Sequence, residues 1–279
     1  MPGRARTLNG LVVASHAAPT AVVSLLSVVL LVGLGAPAGT AALAGTAVLA
    51  GQLSVGWSND WLDAGRDTAV GRTDKPVVAG LVGSATLRGC ALAAATLCAV
   101  LSWATGMPSG TAHVAAVASA WTYNLGMKRT VWSWLPYALS FGLLAEFLVL
   151  AARDTPAPGW LVATGALLGT GAHVANVLPD LADDAATAVN GLPHRIGRRA
   201  SAVLAPALLV AAALVAVLGG PDMGAAGLVA AGVSGLLAVG AGAVGETRHR
   251  SRLPFVLSMA VAGVCVLLLA TAGPRVLSP

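Results

Sequence analysis

The sequence has little charge and few aromatic rings. Of its 279 residues only 10% are Asp, Glu, Lys or Arg, and only 4% are Phe, Trp or Tyr. A soluble domain carries about 25% charged residues, so an ordinary water-soluble globule is excluded. A disordered chain would be charged and poor in apolar residues, so that class is excluded too. Cysteine is equally scarce. Cys90, Cys98 and Cys265 all sit in apolar runs without CxxC spacing, which supports neither a disulfide framework nor a zinc site. What is abundant is apolar and small: 57% hydrophobic residues and 34 glycines, with a mean hydropathy of +0.82. Small residues let helices pack closely inside a bilayer.

A membrane-spanning helix needs ~20 mostly apolar residues. Nine stretches meet that requirement: 18–36, 40–62, 84–105, 109–127, 131–151, 159–183, 200–219, 223–244 and 254–272. The first follows Arg4 and Arg6 but leads straight into a second apolar segment, with no small-x-small cleavage site before a polar region. It therefore reads as a span and not as a signal peptide. The expectation is one membrane domain over residues 1–279.

The basic residues fix the orientation. With the N-terminus inside, the inner set is Arg4, Arg6, Arg66, Arg72, Lys75, Lys128, Arg129, Arg195, Arg198, Arg199, Arg248, Arg250 and Arg252, and the outer set is Arg153 and Arg275. Such asymmetry is the positive-inside pattern. It accounts for the basic isoelectric point without a nucleic-acid partner. The expectation is a multi-pass protein of the cytoplasmic (inner) membrane, N-terminus inside and C-terminus outside.

The acids are just as uneven. Asp60, Asp63, Asp67 and Asp74 gather at the inner end of the second stretch, and Asp180, Asp183 and Asp184 at the inner end of the sixth. Ionisable groups at membrane depth are costly and mark function. Asn59, Asp63 and Asp67 fit N-x-x-x-D-x-x-x-D, as do Asn176, Asp180 and Asp184. On a helix, residues four apart share a face ~6 Å apart along the axis, so each motif lines up an amide and two carboxylates. Ligands of that kind suit magnesium, which shares carboxylates with substrate phosphates. Basic loops follow both motifs, with Arg66, Arg72 and Lys75 after the first and His194, Arg195, Arg198 and Arg199 after the second. Guanidinium groups bind phosphate oxygens bidentately. For Arg198 and Arg199 the expected role is only to set topology at the headgroups. Tyr123, Lys128 and Arg129 close the fourth stretch and point to the same end.

With these features the sequence resembles the UbiA superfamily of intramembrane prenyltransferases. The match rests on the two Asp-rich motifs, Arg72-Thr73-Asp74-Lys75-Pro76, Tyr123 with Lys128-Arg129, and Gly191-Leu192-Pro193-His194-Arg195. The resemblance implies an all-α, polytopic bundle of nine transmembrane helices around a central cavity with a cytoplasmic cap. It implies that Asn59, Asp63, Asp67, Asn176, Asp180 and Asp184 hold Mg2+ and the diphosphate of a prenyl diphosphate. It makes Arg72, Lys75 and Lys128 diphosphate partners and Tyr123 and Arg195 further substrate-binding residues, with Asp63, Asp180 and Lys128 at the centre of catalysis. Two departures stand out. Many members have Asp where this chain has Asn176. Many carry an early Arg in the first span, where this chain reads Ser15-His16-Ala17-Ala18-Pro19.

The chemistry expected is ionisation of an allylic diphosphate, its charge neutralised by magnesium and basic side chains, in a site that keeps water from the cation. A small-molecule acceptor, aromatic or a quinone precursor, would lie deeper. Gln52, two turns before Asn59, and His173, one turn before Asn176, share their motif's face and are the candidates for contacting it. Glu146 and His113 fall towards the opposite side and are left out. The competing reading within the family is a terpene cyclase, in which the prenyl chain captures its own cation. A secondary transporter would place its ion site near the midplane, whereas both motifs here lie at one end.

Overall fold

The computed structural model describes residues 3–181 and 189–277. All regular structure among them is helical. The helices are α1 (Arg4–Ala14), α2 (Ala17–Gly33), α3 (Ala38–Ala69), α4 (Ser84–Ala104), α5 (Met107–Leu125), α6 (Leu135–Arg153), α7 (Gly159–Val177), α8 (Leu192–Gly219), α9 (Gly224–Thr247) and α10 (Leu253–Ala272). Short 3₁₀ turns occupy Met127–Arg129, Leu178–Asp180 and Gly273–Leu277.

Proline and glycine set the boundaries. Pro108, Pro136, Pro193 and Pro254 stand in the first turns of α5, α6, α8 and α10, where the missing N–H costs nothing. Gly126, with φ of 153°, ends α5 in a conformation closed to other residues.

From α2 to α10 each helix packs on its successor in the chain, and α10 closes the ring on α2. Small residues permit this. A Cβ on Gly33 of α2 would stand 2.5 Å from the Cα of Ala270 on α10. One on Gly45 of α3 would stand 2.6 Å from Val28 of α2. Lipid is as apolar as the helix surfaces, so such close packing supplies cohesion that the hydrophobic effect cannot.

Seven helices are long and apolar enough to cross a membrane, or eight if α1 and α2, bent by 64° at their junction, form one broken span. The expected count of nine is not reached on those terms. The helix over the fourth stretch, α5, carries Ser109, Thr111, His113, Ser119, Thr122 and Asn124 along its length, and α2 has only 17 residues.

Three boundaries differ from expectation. First, α1 was not foreseen. It is too short to span, and it is pinned by Trp57 of α3, whose indole N–H donates to the carbonyl of Leu11 at 2.9 Å. Second, α3 runs on to Ala69. Its 32 residues make a rod of about 48 Å at 1.5 Å per residue, so the first motif rides on the last turns. Third, the helix over 159–183 does not continue unbroken. It leaves α geometry after Val177 and tightens over Leu178–Asp180, around Pro179. Proline cannot donate the N–H that α geometry requires.

Candidate functional site

Asn59, Asp63 and Asp67 occupy the last three turns of α3 and face the same way, as their spacing requires. Asp63 and Asp67 are buried, at 4% and 1% exposure, and Asn59 is half-buried. Asn124 of α5 fixes this end of α3 by donating to the carbonyl of Val55 at 3.0 Å and to Ser58 at 2.8 Å.

The turn at Gly126 then aims Lys128 inward. Its Nζ lies 2.7 and 2.6 Å from the two oxygens of Asp63, and the side chain is 5% exposed. Burial pushes the Lys128 ammonium below the ordinary lysine value, and the neighbouring Asp63 charge opposes that shift. Arg66 binds the same carboxylates from the other side, with Nη2 3.1 Å from Asp63 and 3.3 Å from Asp67. Even so, Oδ2 of Asp67 is buried without a hydrogen-bond donor. A buried carboxylate oxygen left in that state is costly unless a cation meets it.

The loop after α3 carries the next two expected residues. Lys75 reaches back to Asp60, Nζ to Oδ1 at 2.7 Å. Arg72 grips Asp74 through Nε and Nη2 at 3.3 and 2.9 Å. That bond raises the Arg72 guanidinium and holds the Asp74 carboxyl below the usual range. The charges of Asp180 and Asp67 also raise Arg72. One guanidinium therefore stands within electrostatic range of both Asp-rich motifs.

In the second motif, Asn176 ends α7 half-buried and Asp180 ends the 3₁₀ turn. Asp184 lies outside the described residues. Among the described residues no three His, Cys, Asp or Glu side chains gather as a metal-binding group.

One turn before Asn176, His173 is enclosed at 1% exposure. Tyr137 stacks on it at 4.6 Å between ring centroids, and Tyr123 meets it edge-on at 5.5 Å. It lies one turn before Asn176, with both tyrosine rings against it. Gln52 is half-buried on α3, about 10 Å deeper than Asn59 at 1.5 Å per residue. Arg195 is exposed and donates to the carbonyl of Asn190 at 3.0 Å, with no ion pair to a carboxylate among the described residues. His113 and Glu146 have other partners. His113 hydrogen-bonds Ser102 at 2.7 Å and stacks on Phe147, and Glu146 accepts from the Ala157 N–H at 3.0 Å.

Several residues here escape sequence reasoning. Asp60 is off the four-residue spacing, yet it is 3% exposed and paired. Its signal in the sequence is membership of the acidic cluster at the end of the second stretch, which does not say what it pairs with. His16 takes a left-handed conformation, φ 51°, at the corner between α1 and α2, and its Nε2 lies 3.9 Å from Asp60. Non-glycine strain of that kind concentrates at functional sites. Ser133 and Tyr137 carry no motif that would have singled them out.

The sequence matches the UbiA prenyltransferase family over residues 17–260. Comparison with curated proteins found no match. Among solved structures, a UbiA homolog from Archaeoglobus fulgidus bound to GPP and Mg2+ aligns with a TM-score of 0.71 and 15% identity, over 94% of this chain and 97% of its own. An apo UbiA homolog from Aeropyrum pernix K1 aligns at 0.70 and 19%, over 95% and 97%. A digeranylgeranylglyceryl phosphate synthase aligns at 0.68 and 16%, over 96% and 99%. Its motifs, its ring of helices and the family match over most of its length agree: the chain belongs to the UbiA prenyltransferase family and is an integral, multi-pass membrane protein.

Proposed function

We propose that this protein moves a prenyl group from a prenyl diphosphate to a small acceptor, aromatic or a quinone precursor, in a magnesium-dependent reaction within the membrane. The observation that supports this reading is the set of cations gathered around the first carboxylate motif, with Arg72 also within electrostatic range of Asp180 in the second. Lys128 and Arg66 sit on Asp63, and Arg72 feels both Asp67 and Asp180. The relatives bound to GPP or DMAPP with Mg2+ support the same donor and metal here.

The residues present fit a hard cation. The donor set is amide and carboxylate oxygen, and Oδ2 of Asp67 has no donor of its own. Asn59, Asp63 and Asp67 would hold magnesium on one side, and Asn176, Asp180 and Asp184 on the other. When bound, the ion supplies positive charge against the leaving diphosphate.

The chain's own groups do the rest. Arg72, Lys75 and Lys128 bind diphosphate oxygens, each already fixed by a carboxylate, so little reorganisation accompanies charge development on the leaving group. The apolar helices shield the allylic carbon from water as the carbon–oxygen bond breaks. Gln52 and Tyr123 orient the acceptor, with Tyr123 braced by Tyr137 and His173.

The test incubates purified protein with magnesium and labelled prenyl diphosphates of several lengths, with and without acceptors, and identifies products by mass spectrometry. Diphosphate release coupled to a prenylated acceptor is expected. A cyclic product formed without acceptor would assign the cyclase reaction instead. Asp63→Ala and Asp180→Ala should each lower turnover ~100- to 1000-fold, the typical cost of one strong electrostatic contributor. Near-normal turnover in either folded variant, or in excess chelator, would overturn the magnesium–diphosphate site.

A further inference from the structure

A single buried hydroxyl joins the segments around Lys128. Ser133 lies between the Met127–Arg129 turn and α6, at 0% exposure. Its Oγ accepts the backbone N–H of Leu192 at 2.9 Å and lies 3.1 Å from Nε2 of His173. A hydroxyl has one proton to give. With the Leu192 N–H on one of its two acceptor positions, the hydroxyl can give its proton to Nε2 or accept one from it, so the contact holds with either His173 tautomer. The bond therefore ties α7, one turn before Asn176, to the start of α8.

Gly191 completes the joint. Its φ of −72° and ψ of −178° form an extended backbone that any residue adopts. A Cβ there would nonetheless stand 2.7 Å from Ser133 Oγ and 2.8 Å from the carbonyl oxygen of Lys128. Glycine is required by the closeness of the neighbours and not by the conformation. Lys128 is thus held at both ends, its backbone pressed against Gly191 and its Nζ on Asp63.

We propose that Ser133 and Gly191 are positioning residues that set Lys128, relative to the second motif, for the diphosphate of the donor. The inference rests on reading Lys128 as a diphosphate partner. Neither residue needs to touch substrate. Removing the Ser133 hydroxyl strands the Leu192 N–H and His173 Nε2 and lets the 189–192 segment part from the turn. A methyl on Gly191 pushes the same two surfaces apart by sterics alone. Two opposite perturbations should therefore misplace the same ammonium.

The test measures the affinity of the purified protein for inorganic diphosphate in the presence of magnesium, from the rise in melting temperature with ligand concentration. Wild type is compared with Ser133→Ala, Gly191→Ala, Lys128→Met and the double variant Ser133→Ala/Lys128→Met. Both single joint variants should bind ~10-fold or more weakly. The double variant should bind about as weakly as Lys128→Met alone, since perturbations acting through one group do not add. A joint that only held the bundle together would lower the ligand-free melting temperature and leave affinity at the wild-type value. That result, or additive losses in the double variant, would overturn the proposal. Absence of any magnesium–diphosphate binding by wild type would be a different failure, of the diphosphate site itself. Gly191→Ala keeps the test open should Ser133→Ala not fold.

Discussion

Arg198 and Arg199 are neighbours in the chain and opposites in what they hold. They directly follow Gly197, whose φ of 81° and ψ of 169° break α8, and past that break one turns into the bundle and the other out. Arg198 donates to three carbonyls: Leu178 at 2.7 Å, Gly245 at 3.1 Å and His249 at 3.1 Å. It joins α8 to α9 and secures the turn that ends in Asp180. Arg199 is 91% exposed and only 3.8 Å from Glu246. The two look identical in the sequence, where both read as headgroup charges, and that reading does not describe Arg198. Hydrogen bonds to a charged group are worth about 1.5–3 kcal/mol, and exposed ion pairs about 0–1 kcal/mol. Arg198→Ala should therefore lower the melting temperature by several degrees and weaken turnover through Asp180. Arg199→Ala should change neither measurably. Thermal denaturation and turnover of the two purified variants check this, and equal effects would show that the carbonyl bonds contribute nothing.

The two Asp-bearing helices were not equally legible. In α3 the four-residue spacing translates directly into one face, because the helix runs unbroken through Asp67. In α7 the same spacing meets Pro179, and the helix tightens before Asp180. A pattern of residue types carries no account of the backbone it lies on. Close helix contacts were invisible for a similar reason. The sequence shows 34 glycines without showing which are in contact. On α7, a Cβ at Gly165 would stand 2.5 Å from the carbonyl oxygen of Phe141 on α6. On α10, one at Gly263 would meet nothing within 4 Å. Replacing a helical glycine by alanine gains up to ~1 kcal/mol in propensity, whereas overpacking costs about 1–3 kcal/mol. Gly165→Ala should therefore destabilise by roughly that overpacking cost and disturb the second motif with it, while Gly263→Ala should be neutral or slightly stabilising. Comparison of unfolding midpoints decides; destabilisation by Gly263→Ala would mean that α10 has a partner these contacts do not include.

Two independent lines divide the charges in the same way. The loop count puts thirteen basic residues on one side and two on the other. The structure brings several of the thirteen together. Lys128 and Arg66 meet Asp63, Lys75 meets Asp60, Arg72 lies within range of Asp180, and Arg198 reaches the carbonyl of His249, so the loops after α3, α5, α7 and α9 share one end of the ring. At the other end Arg153 lies near Gly35, beside Pro274 and thus close in sequence to Arg275. The loop count and the three-dimensional grouping could have disagreed, since nothing in counting Lys and Arg brings distant loops together. Their agreement leaves the bundle with one strongly basic end, and translocating it would carry most of the chain's cations against the membrane potential. The expected topology has the motif end in the cytoplasm. Reporter fusions after Arg66, Arg129, Arg195 and Arg250 should all report the cytoplasm, and one after Arg153 the opposite side. A single external signal among the first four would break the assignment, because those four loops form one end of one ring and cannot be on different sides of the bilayer.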